Sequence, residues 1–323
     1  MLATQLAIST DVLVYRAGKA LKGFDAIDNP QARAAAYWKA FYIAQPRDLI
    51  QCGPGVFDFG GQRDDRKGEQ PNIVHLPELA LVRGAGREIT TFVNSWGNNT
   101  AAGCCFRPGN GSVIEDLGLA STCGAEFQSI VYGWSGTGSP NGARAVARRC
   151  NLVGNSWVGY IWGGDKNGLR FEDCDATGGK WLFTCGSTSS ALTSCTIDVL
   201  RSRVFGDASL STYQGKVGQR LIAFAARGGV LRVFDSQVEL FGNDGVETLA
   251  TAWTTDEAGH GGPGWPRIEL SNVHSRVRGN GAASALDVEN NVGVIQVQGG
   301  SGSGLGGKYR ARGDVVWCGG AAG

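Results

Sequence analysis

Asp256, Glu257 and His260 fall within five residues of one another, in a glycine-rich segment bounded by Trp253 and Trp265. Two carboxyl groups beside an imidazole are the types that general acid–base catalysis needs, one group giving a proton while another takes one. Indoles at either end could stack on the apolar faces of sugars. The chemistry implied is cleavage within a polysaccharide, with Asp256, Glu257 and His260 as catalytic candidates. A glycine-rich loop that happens to contain a histidine has the same composition, and that alternative stays open. A second acidic set comprises Asp173, Asp175 and Asp198. Oxygen-rich clusters suit Ca2+. Arg148 and Arg149 stand one repeat earlier, however, and favour cross-strand charge pairs on a solvated face. No cofactor is therefore expected, Ca2+ being the one ion these acids would suit.

The remaining titratable residues exclude more than they suggest. Nine cysteines occur without a CxxC pair, and only three histidines are present to complete a zinc site. The cysteines read as small buried residues of a reducing compartment. Net charge is +1 with no run of Lys and Arg, which disfavours a nucleic-acid partner. No apolar run approaches the roughly 18 residues of a membrane span, and the first residues lack the pattern of a secretory signal.

These groups must be positioned by elements, and the sequence names them through a repeat. A turn residue precedes a small or apolar one at Asp116-Leu117, Arg149-Cys150, Asp173-Cys174, Ser194-Cys195, Asp235-Ser236 and Asn272-Val273, with Gly84 as an earlier copy. Most of the leading residues tolerate tight bends. Alternating segments such as SVIEDLGLA, GLRFEDCDA and VLRVFDSQVELFG flank the copies. Period two inside a segment and a longer period between segments indicate a parallel β-solenoid, whose coils bury their apolar sides only by stacking. Cys150, Cys174 and Cys195 are then expected to form one inward ladder. The spacing widens after Ser194 and after Asp235, which predicts excursions at 203–219 and 254–265. The segment GGSGSGLGGKYRARGDVVWCGGAAG contains no amphipathic helix to cover a last coil, so a partner chain is expected there.

From about Phe41 to Gly307 the chain resembles the pectate-lyase-like β-helix superfamily. The segments DLIQCGPGVFDFGG and ALVRGAGREITTFV are similar to that family's opening strand and turn. The resemblance implies an all-β, single-stranded right-handed parallel β-helix with a short N-terminal capping α-helix. Asp28 or Asn29 would cap that helix, with Pro30 in its first turn and Ala35, Trp38 or Phe41 covering the mouth of the core. The division expected is 1–45 for an attachment segment and the helix, and 46–323 for the solenoid. Polygalacturonases of the superfamily carry N-x-D, D-D, G-H-G and R-x-K. Here Gly259-His260-Gly261 matches one element, Asp64-Asp65 lies far upstream, and the other two are missing. The superfamily holds lyases and hydrolases as well as non-catalytic virion proteins, so the fold does not decide the chemistry.

One strand of each coil is rich in aromatics: SIVY at 129–132, GYIW at 159–162, KWLF at 180–183 and LIAF at 221–224. With the third column inward, Tyr132, Tyr160, Trp162, Trp181 and Phe183 face outward, and with Trp253 and Trp265 they form an apolar surface for glycan or subunit contact. The opposite parity places these rings in the core, and spacing leaves both open. Two function classes follow. One is a virion structural or adhesin protein of tailspike, tail-fibre or capsid-decoration type, a glycan-binding homotrimer assembled in the host cytoplasm beside other virion proteins. The other is a polysaccharide lyase or glycoside hydrolase acting on an acidic polysaccharide, secreted or carried on a phage tail.

Overall fold

The structure is a computed structural model. It describes residues 13–20, 30–60, 74–95, 103–122, 128–133, 141–154, 157–161, 166–186, 195–210, 221–242, 250–255, 266–278, 285–290, 294–299, 301–302, 309–311 and 314–318. The chain winds as a parallel β-helix. Each coil gives one strand to each of three sheets, which contain twelve, nine and nine strands. A representative coil runs through Gly168–Glu172, Asp175–Gly178 and Trp181–Cys185. Each of these pairs in parallel with its counterpart in the coil before and the coil after. We call the three the long sheet, the groove sheet and the aromatic sheet, in chain order.

The turn between the long sheet and the groove sheet explains the repeat. Asp116, Arg149, Asp173, Arg201, Asp235 and Asn272 all adopt left-handed backbone, with φ between 46° and 56°. That conformation costs an L-residue about 1–2 kcal/mol. Side chains on this exposed column offset part of it by bonding across coils. Arg149 Nε donates to Asp116 at 2.6 Å, Arg201 Nε to Asp173 at 2.8 Å, and Asn272 Nδ2 to Asp235 at 2.8 Å. The fourth copy is therefore Arg201-Ser202, not Ser194-Cys195. Strand Arg203–Asp207 then belongs to the regular groove sheet, where an excursion was expected. Its Val204 and Gly206 face inward and its Arg203 and Phe205 outward, the alternation of an ordinary half-buried strand.

The residue after each left-handed position points into the core, giving the ladder Leu117, Cys150, Cys174, Ser202, Ser236 and Val273, all buried. Its polar members each bond the carbonyl two residues back. Cys150 Sγ reaches Arg148 O at 3.3 Å, Cys174 Sγ reaches Glu172 O at 3.2 Å, and Ser202 and Ser236 Oγ reach Leu200 O and Phe234 O at 2.7 Å. Each of these carbonyls also accepts a backbone N–H from the preceding coil, so what the contact satisfies is the short donor itself, a hydroxyl or thiol buried in the core. Cysteine and serine are interchangeable here for that reason. Cys195 is buried, as are Cys150 and Cys174, but it sits at a different corner. Its Sγ lies 3.5 Å from that of Cys185.

The helix expected at the mouth is Pro30–Ile43; Asp28 and Asn29 lie outside the described residues. Its buried face is Ala34, Tyr37, Trp38 and Phe41, the spacing of one helical stripe. Trp38 and Phe41 serve as expected; Ala34 and Tyr37, and not Ala35, complete the face. Tyr37 packs edge-on against Phe57 at 4.5 Å, Phe41 packs against Phe106 at 5.2 Å, and Gly53 N–H donates to Tyr37 Oη at 2.8 Å. Strand Leu13–Arg16 adds antiparallel to Leu49–Gln51, pairing the upstream edge of the long sheet.

Candidate functional site

The sequence-predicted site divides three ways. Asp256, Glu257, His260, Trp162 and Trp265 lie outside the described residues. Tyr132 ends strand Gln128–Tyr132 and is in register with Tyr160, and its side chain is not described. Tyr160 and Trp181 are half-buried on the outer side of the aromatic sheet. Trp157 joins them, its ring 5.5 Å from Tyr160 and 5.7 Å from Trp181, and its Nε1 donates to Thr184 Oγ1 at 3.1 Å. Arg227 lies over the Trp181 ring at 5.1 Å.

Phe183 and Trp253 correct the expected surface. They are 1% and 2% exposed and belong to an interior column with Val131, Gly159 and Phe224. Phe183 stacks on Phe224 at 5.2 Å, and Phe224 on Trp253 at 4.7 Å. The physical cause is a break in strict alternation. Two successive residues face inward on these strands, as at Val158-Gly159, Leu182-Phe183 and Ala223-Phe224. Gly159 confirms the direction, since a Cβ there would come within 2.6 Å of Phe171 and 3.0 Å of Phe183.

The acids considered for Ca2+ are dispersed over separate faces. Asp173 accepts from Arg201, Asp198 from Arg232, and Asp175 from Arg203. Among the described residues no group of three metal-type ligands forms. Arg148 is in register with Glu172, but it bonds Glu115. That carboxylate is 1% exposed and also receives Arg83 and Arg149. Burial works against its ionisation. The bonds from Arg83 and Arg148 outweigh burial and hold its pKa below the usual carboxylate range.

The site that sequence reasoning missed is a groove of about 520 Å3 on the outer side of the groove sheet. Its floor is one column of side chains from consecutive coils: Asn151, Asp175, Arg203, Gln237 and His274. Five coils at the strand spacing span about 19 Å along the axis. Beside the floor runs a second column through Thr177, Phe205, Glu239 and Arg276. Phe205 is 36% exposed and leans on Phe241 at 5.5 Å. The upstream wall is the segment 85–89, which reaches forward over the sheet. Arg87 bonds Asp175 at 3.1 Å, three coils beyond its own. Gly118 permits this, because a Cβ there would lie 3.1 Å from Arg87 O and 2.8 Å from Thr91 Oγ1. Asp175 thus sits between Arg87 and both donating nitrogens of Arg203, at 2.6 and 2.7 Å. Amides, hydroxyls, fixed charges and one exposed ring along a linear trough are the groups that hold an extended polar polymer. In sequence, only the alternation of RVFGD, with Arg203 and Phe205 outward, hinted at it.

No protein-family model matches the chain, and the sequence of no curated protein does. Two solved structures match. One is the enzymatically active domain of bacteriophage CBA120 tailspike protein 2, at 9% identity and a TM-score of 0.45, over 92% of this chain and 44% of that one. The other is the full-length tailspike protein 2 from the Escherichia coli O157:H7 bacteriophage, at 9% identity and a TM-score of 0.40, over 92% of this chain and 40% of that one. The chain spans less than half the length of either.

Proposed function

We propose that this is a virion protein of the tailspike or adhesin type that holds an extended glycan along the groove sheet. The observation that carries the reading is the groove itself: a trough about 19 Å long at the strand spacing, floored by Asn151, Asp175, Arg203, Gln237 and His274, with Phe205 exposed beside it. A rigid solenoid fixes these side chains at strand positions, so little ordering cost is added on binding. Assembly as a homotrimer belongs to the same reading, with Tyr160 and Trp181 on the outer side of the aromatic sheet as contacts. Glycan-array binding tests the groove. Phe205→Ala and Gln237→Ala should abolish retention of the bound polysaccharide while the β-sheet circular dichroism is unchanged. Unaltered retention in both variants would refute the assignment. Release of reducing ends from the retained polymer would move the protein to the enzymatic class. For assembly, Trp181→Glu should lower the sedimenting mass to that of one chain, and a wild-type protein already monomeric at micromolar concentration would end the trimer reading.

A further inference from the structure

The charge arrangement of the groove goes further than its shape. It rests on the reading of the groove as a glycan site and names the class of glycan. Among the described residues of the groove and its overhang, the guanidinium groups are Arg87, Arg203 and Arg276, and the carboxylates are Asp175, Glu88 and Glu239. The two sets cancel. They are also interleaved rather than separated. Asp175 takes Arg87 at 3.1 Å and Arg203 at 2.6 Å. Glu239 stands in register with Arg276 on the next strand, and the charge of Glu88 acts on Arg203.

Two consequences follow. A cleft attracts a polyion when it is lined by one sign of charge, and this one has no such field. In addition, the planar fork of an arginine is the group that grips a carboxylate or sulfate in two places. The Nε and Nη2 of Arg203 are both bonded to Asp175. An acidic sugar would have to expel a carboxylate that is already bound. What the groove offers instead are the amides of Asn151 and Gln237, the hydroxyl of Thr177, and the exposed face of Phe205. We infer that the groove selects an uncharged, hydroxyl- and amide-bearing polysaccharide and excludes polyanionic ones. Asp175 is the residue that enforces the exclusion, by occupying the guanidinium groups of Arg87 and Arg203.

Affinity electrophoresis through gels containing dextran, a chitin oligosaccharide, polygalacturonate or heparin tests this. Measurements at about 0.01 M and about 0.15 M salt separate charge-driven retention from the rest, since the screening length falls from about 30 Å to about 8 Å. The wild type should be retained by an uncharged probe, with less than about a twofold change between the two salts, and by neither polyanion. Asp175→Asn frees Arg87 and Arg203, and polygalacturonate retention should then rise by about tenfold or more at low salt and collapse at high salt. Asp175→Ser provides the same test should the first variant lose its β-sheet dichroism. Salt-sensitive retention of the wild type on a polyanion would overturn the inference and leave the glycan site standing. So would an Asp175 variant that is folded and gains nothing. Retention on no uncharged probe, with Phe205→Ala indistinguishable from wild type, would overturn the glycan site and the inference together.

Discussion

Phe183 decides between two pictures of the aromatic sheet, and Phe183→Ala measures which is right. In the structure the ring is 1% exposed, stacks on Phe224 at 5.2 Å and meets Phe171 edge-on at 5.1 Å. A phenyl side chain buries about 150–250 Å2, worth about 4–6 kcal/mol at 25 cal/mol per Å2 as an upper bound. Truncations of buried phenylalanine cost about 3–5 kcal/mol, because the cavity closes only in part. The ring also loses two aromatic partners, each worth about 0.5–1.5 kcal/mol. A loss of about 4 kcal/mol is therefore expected. In a solenoid the damage is concentrated in one coil and its two neighbours, so local opening should precede global unfolding. Thermal scans at one fixed rate, followed by far-ultraviolet circular dichroism, should show the midpoint lowered by about 6 °C. Sedimentation of the folded variant should match wild type. A loss below about 1 kcal/mol, combined with a change in oligomeric state, would place the ring outside and refute the interior column.

Acid sensitivity should follow the paired carboxylates. Arginine bonds hold the pKa values of Glu115, Asp116 and Asp173 below their ordinary values. Their contribution is therefore complete above the unfolded pKa, about 4.5 for Glu, and is lost as pH falls through the lower folded values. Stability should be level from neutral pH to about pH 5 and fall below about pH 4.5, and Glu115→Gln should be less stable at pH 7 with a shallower fall; a decline that begins near pH 6 would contradict this. Cys150, Cys174 and Cys195 are buried, and burial pushes the Cys150 thiol well up, so all three should resist a thiol reagent in the native protein and react on unfolding; fast native labelling would count against their burial. Gly159→Ala places a methyl within 2.6 Å of Phe171 and should cost about 1–3 kcal/mol in urea unfolding, with an unchanged midpoint showing that the interior has room the structure does not display.

What could be read in the chain was local. A left-handed turn residue followed by a small or apolar one is a contact between neighbours in sequence. Asp116, Asp173, Asp235 and Asn272 were therefore legible from residue types, as was the helix from Pro30 through Ile43, and Arg149 from its place in the repeat. The phase slipped only at Ser194-Cys195, since Arg201 is a poor bender by type. It is held in its conformation through Asp173, one coil away. The same locality limited the aromatic sheet. Strict alternation assigns one parity to a strand, whereas Leu182 and Phe183 both turn inward, because the wall they pack against is built by other coils. The groove lay furthest out of reach. Asp175 is shared by Arg203, 28 residues on, and by Arg87, three coils back. Nothing in either segment announces the other. The sequence by itself determined the coil, its corners and its plug, since these rest on short-range turn chemistry and periodicity. Tertiary structure alone decided which rings face the core and which charges cancel in the groove, because stacking register sets those pairings and register is a property of the whole solenoid.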